Sequence, residues 1–215
     1  MYVDTMDVEI VGLTPMLLHN GRTANPLDPF AKRMKALTSK RNKTEEDIEE
    51  LLLVQWESSL YWNDDIGLYM PSENLYTAFH KGAKKFKLGS KCSAITFPEP
   101  VGYPIITQNH TNYLELKKDP LNKFVKTVVV QKSKTISCRG IFNVWTMKFG
   151  LEFETTVFDA NEIKTILANM GQRIGLGVWT PSSPKPGTHG KFLIKSLKWT
   201  NSKTKEVKTL EIVEK

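Results

Sequence analysis

The sequence predicts an α+β fold, and three observations carry the prediction. Apolar and polar residues alternate near the start. Apolar residues recur at helical spacing in several later stretches. Runs of β-branched and aromatic residues, punctuated by turn residues, fill much of the rest.

Met6, Val8 and Ile10 alternate with Asp7 and Glu9 within Val3–Gly12, as in a strand with one buried face. Gly12-Leu13-Thr14-Pro15 breaks the strand, and Leu17 to Arg22 follows as a loop. Pro26 and Pro29 suit a helix start, where a missing N–H costs nothing. Phe30, Met34 and Leu37 then recur at helical spacing and leave Lys32, Arg33 and Lys35 on a basic face. Thr44 and Asp47 have the spacing of a capping box, ahead of an apolar stripe of Ile48, Leu51, Leu52, Trp56 and Leu60. The acids of the first turn suit the positive end of that helix. Leu60 to Met70, folded about Asn63-Asp64-Asp65-Ile66-Gly67, predicts a small hairpin. Pro71-Ser72-Glu73 opens another helix. Its packed face is Leu75, Ala78, Phe79, Gly82, Ala83 and Phe86, with Lys81, Lys84 and Lys85 projecting elsewhere.

Ser90 to Asn112 reads as irregular apart from Val101 to Thr107. Phe124 to Ile136 and Phe142 to Phe153 are both β-prone, and are predicted to pair as a long hairpin through Ser137-Cys138-Arg139-Gly140. Asp159 and Glu162 cap the last helix, whose stripe is Ile163, Ile166, Leu167 and Met170 and whose stop is Gly171. Arg173 to Gly190 is a loop rich in glycine and proline. Lys191 to Trp199 is a strand, with Glu206 to Val213 as its partner. This order fits a split β-α-β arrangement, the modified ferredoxin-like core of RNA-recognition modules, with helical and hairpin insertions. One domain would span residues 1–215, with an insertion at roughly 90–140.

The 215 residues are enough to bury a core without staples. No run is long and apolar enough for a membrane helix, and the acidic start lacks the pattern of a signal peptide. The expectation is a cytoplasmic protein with no membrane partner. Cys92 and Cys138 form no CxxC, which argues for a reducing compartment and against a zinc ribbon.

Thirty basic residues against 23 acidic ones give a net charge of +7. The excess is blocked. Lys32 to Lys43 has six basic residues and no acid, and Lys117 to Arg139 has seven against Asp119. Several like-charged elements forming one stripe would favour an anionic partner. A strand carrying Lys126, Lys132 and Lys134 beside Phe142 and Trp145 would track phosphates and stack bases. The competing reading is that both aromatics are core. Trp179, in the glycine-rich loop, is either a lid on the core or a stacking platform. Glycines there would allow close approach to phosphate, with free N–H groups forming an anion nest.

The expected nucleic-acid contacts are therefore Arg22, Lys32 and Arg33; Lys81, Lys84 and Lys85; Lys132, Lys134 and Arg139; and Arg173, Trp179, Lys185 and His189. His19, His80, His110 and His189 share no metal-ligand spacing. Asp64 and Asp65 are read first as a turn. No phosphate-binding P-loop, serine-hydrolase or zincin motif occurs, and no cofactor is expected.

Three segments together resemble the RAMP superfamily, and more closely a group of phage and prophage RAMP-like proteins. They are Val8 to Asn20 (VEIVGLTPMLLHN), Leu68 to Leu75 (LYMPSENL) leading into Ala83-Lys84-Lys85-Phe86, and Met170 to Trp179 (MGQRIGLGVW) followed by Gly190-Lys191-Phe192. The resemblance covers the first ninety residues and Asp159 to Trp199. It implies a modified RNA-recognition fold that binds single-stranded RNA or DNA with little sequence preference. It also implies a homo-oligomer, polymerising along the strand in a bacterial host cell, in phage replication, recombination or strand protection. It brings His19 and His189 near one another. Two alternatives stand beside it: a metal-independent nuclease using His19, His189 or the acids, and a structural oligomerising phage protein whose basic face meets another protein.

Overall fold

Along Val3–Gly12, Asp4, Met6, Val8 and Ile10 are buried while Thr5 and Asp7 face outward, as the alternation requires. In the computed structural model, which describes residues 2–107, 112–130 and 133–210, this segment is β1 (Val3–Gly12). After it come β2 (Met16–Leu17), α1 (Pro29–Thr38), α2 (Glu45–Ser59), β3 (Trp62–Asn63), β4 (Gly67–Pro71) and α3 (Ser72–Lys84). Next are β5 (Ile95–Thr96), β6 (Gly102–Thr107), α4 (Tyr113–Lys118), β7 (Lys123–Val130), β8 (Ser133–Phe142) and β9 (Trp145–Glu154). The chain continues through α5 (Ala160–Asn169), β10 (Phe192–Thr200) and β11 (Val207–Thr209). The fold is α+β.

The larger sheet runs β11-β10-β1-β9-β6-β4-β3, with β5 also on β9, and its described pairs are antiparallel. Leu75, Phe79 and Ala83 of α3 and Ile163, Ile166 and Leu167 of α5 share one core with Met6, Val8, Phe149 and Phe153 of the sheet. At the α3–α5 crossing, Asn169 Nδ2 donates to the Gly82 carbonyl at 3.0 Å. The predicted caps form. Thr44 and Asp47 close a capping box on α2, and Asp159 and Glu162 close one on α5. Phe86, expected in the packed face of α3, lies beyond the helix end and is exposed. Ile48 is exposed as well, because α2 meets the core with its C-terminal end, where Val54 and Trp56 are buried.

A second sheet, β2-β8-β7, corrects the expected long hairpin. β7 pairs with β8, with Val130 opposite Ser133, so Ser137 to Gly140 is strand rather than turn. Gly140 marks a close approach instead: a Cβ there would stand 2.4 Å from Leu60 Cδ2. β9 pairs with β1 in the larger sheet. Phe142 and Trp145 are fully buried, so neither offers a stacking surface.

The open face of the larger sheet carries Thr5, Asp7 and Glu9 of β1, and Thr146, Lys148 and Glu152 of β9, with Lys195 and Lys198 on β10. Lys195 Nζ donates to Glu9 at 2.8 Å, and this bond, with Lys148 nearby, holds the Glu9 carboxyl below the usual carboxylate range despite some desolvation. Across β10, β1, β9 and β6 that face exposes no aromatic ring, since Tyr103 and Phe149, which border it, are buried. Bases have nothing to stack on there. Of the expected features, Lys132, His110 and the last residues of the Glu206–Val213 strand lie outside the described residues.

Candidate nucleic-acid interface

The glycine-rich loop is stitched down. After the wide π-type turn Met170–Ile174, Gly175 adopts φ +77° and Gly190 φ +71°. Val178 N donates to Leu17 O at 2.9 Å, Gly190 N to Pro15 O at 2.8 Å, and Leu176 N to Gly190 O at 2.9 Å. Thr180, Ser183, Gly187 and His189 also bond their N–H groups to neighbouring protein oxygens. These amides are not free for an anion, which corrects the expected nest at these residues. The glycines serve backbone contact within the protein. A Cβ on Gly190 would fall 1.8 Å from Leu176 O, and one on Gly187 would fall 2.0 Å from Trp179 O.

This knot presents Trp179 at φ +53°, a backbone conformation that bulky residues rarely adopt. The strain costs about 1–2 kcal/mol. The ring's neighbours offset it. Phe124 and His189 pack edge-on or tilted at centroid distances of 5.6 and 6.3 Å. Lys126 Nζ lies 4.7 Å and Arg139 Cζ 5.4 Å from the ring centroid. Aromatic contacts contribute about 0.5–1.5 kcal/mol each and exposed cation–π contacts about 0.5–1, so the contacts outweigh the strain.

Hairpin register explains why these residues meet. Phe124 stands opposite Arg139 and Lys126 opposite Ser137, so even residues of β7 share a face with odd residues of β8. That face looks onto the loop. Lys134 is even on β8, opposite Val129, and so belongs to the other face. Phe124 is the one participant that sequence reasoning missed. Its signal is the alternation with Lys126, which becomes readable only with the correct turn.

Arg139 is half-buried, and burial pushes its pKa below the ordinary arginine value. Among the described residues, no carboxylate pairs with Arg139 or Lys126. His189 packs against Phe124 and Trp179, and its Nδ1 is buried with no hydrogen-bond partner. His19 follows β2 in a crowded hollow. Solvent still reaches its ring, but desolvation by the surrounding protein, and then the charge of Arg139, hold its pKa below that of an ordinary imidazole. The hollow measures about 300 Å³, and Lys81 of α3, Asn74, Tyr61 and the loop from Ile174 to Pro184 line it with His19. Lys126, Trp179, Arg139, His19 and Lys81 thus follow one another across the hairpin, the loop and α3. Lys185 is exposed on the same loop.

Other expected contacts lie elsewhere or have partners. Arg22 Nε bonds Asp28 at 2.9 Å and its guanidinium covers Phe30. Arg33 lies 3.4 Å from both Glu50 and Glu57. Glu57 is buried and also accepts from Lys117 at 2.7 Å and from the Tyr113 hydroxyl at 3.1 Å, so this part of the basic block serves an internal network. Lys32 is exposed on α1. Lys84 lies beside Gly89, where a Cβ would meet its Cγ at 2.9 Å. Lys85 and Arg173 line a separate shallow hollow with Lys191, at the C-terminal ends of α3 and α5, where cations complement the helix dipoles.

Cys92 and Cys138 are buried and unpaired. Among the described residues, no cluster of three His, Cys, Asp or Glu side chains could hold a metal ion, and no helix is long and apolar enough to cross a membrane. The chain matches no family model and no curated protein.

Proposed function

We propose that the protein binds single-stranded nucleic acid with little sequence preference, along the line from Lys126 through Arg139 to Lys81. The observation that carries this reading is the convergence of Lys126 and Arg139 on Trp179 with no carboxylate paired to either among the described residues. Unpaired cations grouped on a surface are the electrostatic footprint of a polyanion partner. The overall excess of basic residues points the same way. The resemblance to RAMP-like proteins agrees with it, and so does a ferredoxin-like reading of the strand order β10-β1-β9-β6, with α3 between β1 and β6 in sequence and α5 between β9 and β10. In the same reading the protein assembles as a homo-oligomer along the strand in the cytoplasm of a bacterial host.

The test is a salt-titrated gel shift on single-stranded DNA, single-stranded RNA and duplex. Four phosphate contacts, from Lys126, Arg139, Lys81 and Lys185, give a log–log slope of roughly −3 on single strands. A flat salt response, or tighter binding to duplex, would overturn the reading. Cleavage of the labelled strands that disappears in His19→Ala would favour the nuclease alternative.

A further inference from the structure

Resting on that reading, we infer that the Trp179 site holds a backbone phosphate, with Arg139 as its anchor, and leaves the base unread. Two features of the site point to one anion. Arg139 is half-buried and has no acidic partner among the described residues, so its planar fork of donors is left for an outside acceptor. Lys126 reaches the same ring from the same hairpin face, so a second positive charge borders the same space.

Trp179 is the residue that a base would be expected to stack on. Its ring is already engaged by Lys126, Arg139, Phe124 and His189. It holds the cations in position, and a base would have to displace them. The loop amides of Val178, Ser183, Gly187, His189 and Gly190 are bonded to Leu17, Thr180, Trp179 and Pro15 and are not offered to a ligand. Side-chain donors, chiefly the Arg139 guanidinium, make the main contact with the ligand. Their natural partner is the non-bridging oxygens of a phosphodiester, which are the same at every nucleotide. The site would then supply affinity without sequence preference, for RNA and DNA alike.

The experiment compares oligothymidylate with an abasic deoxyribose-phosphate strand of equal length, using fluorescence anisotropy of labelled strands. The probed proteins are the wild-type chain, Arg139→Gln, Arg139→Lys and Lys126→Gln. The expected result is abasic binding within about twofold of oligothymidylate, and a loss of roughly tenfold or more on both strands in Arg139→Gln. Arg139→Lys keeps the charge but loses the fork, and recovers only part of that loss. Lys126→Gln, at an exposed position, weakens both strands equally. Circular dichroism melts confirm that each variant is folded. If the abasic strand binds at least tenfold more weakly than oligothymidylate while Arg139→Gln binds normally, the site reads bases and the inference falls, though nucleic-acid binding stands. If the wild-type protein binds neither strand, the proposed function itself falls.

Discussion

Gly190→Ala separates two accounts of the glycine-rich loop. In one, the glycines keep the backbone open for a ligand. In the other, they let the protein close on itself. At Gly190 a Cβ would lie 1.8 Å from Leu176 O and 2.8 Å from Leu176 C, both backbone atoms that cannot swing away. The residue sits at φ +71°, and its own N–H and C=O bond Pro15 O and Leu176 N. Overpacking of this kind costs about 1–3 kcal/mol. Left-handed backbone on a residue with a Cβ adds about 1–2. The expected destabilisation is therefore about 2–5 kcal/mol, or roughly 4–20 °C in Tm for a chain of this size. Gly21→Ala is the control, since a Cβ there meets nothing within 4 Å, and its effect should stay within about 0.5 kcal/mol. Urea denaturation followed by circular dichroism reads both variants. Matching midpoints for the two would refute the close-contact account and return the loop to a mobile, ligand-facing role.

The His19 imidazole should titrate below the ordinary value near 6.5, by NMR, and Arg139→Gln should raise its pKa by removing one of the two causes. The folded state opposes its protonation. Its contribution to stability is therefore intact above the ordinary value, and is lost as pH falls through that value toward the lower folded one. A His19 titration unmoved by Arg139→Gln would separate the two side chains. Burial raises the Cys92 thiol, and pushes Cys138 up to about 11, so neither should react quickly with a thiol reagent at mildly alkaline pH until denaturant is added. Rapid labelling of the native protein would contradict that burial. Lys81→Glu should weaken single-strand binding several-fold and make the salt slope shallower by about 0.7, whereas Lys134→Glu, on the far hairpin face, should leave both unchanged. Equal losses in the two would mean that the hairpin faces are not distinguished.

Local signals were legible in the sequence where a short-range rule decides the structure. The capping residues Thr44 and Asp159, the alternation of β1 and the turn at Asn63 to Gly67 all depend on atoms a few residues apart. The hairpin of β7 and β8 was not. Ser137-Cys138-Arg139-Gly140 resembles a turn, but Gly140 is there to admit Leu60, a neighbour eighty residues earlier in the chain. Placing the turn wrongly hid the face that groups Phe124, Lys126 and Arg139. The candidate site was therefore readable as an inventory of basic residues around Trp179, but not as a geometry. Arg22 and Arg33 look equally available in sequence, and only folding shows that Asp28, Glu50 and Glu57 engage them. The glycines of the loop were noticed for the right reason, close approach, but assigned to the wrong neighbour.

The place of β1 between β9 and β10 has a consequence for biosynthesis. The strand β1 is central in the sheet, and its two neighbours, far later in the chain, begin at Trp145 and Phe192. At ribosomal speeds, on the order of ten seconds separate β1 from the emergence of β9, and more from β10. During that time Met6, Val8 and Ile10 have no sheet to cover them, and both edges of the strand stand open. The nascent chain can collapse and form helices early, but the sheet cannot close until Phe192–Thr200 has left the ribosome. Folding dominated by such distant pairings is slow. A chain cut short before Phe192 should be a substrate for chaperones and proteases, whichever residues of the cationic line it retains.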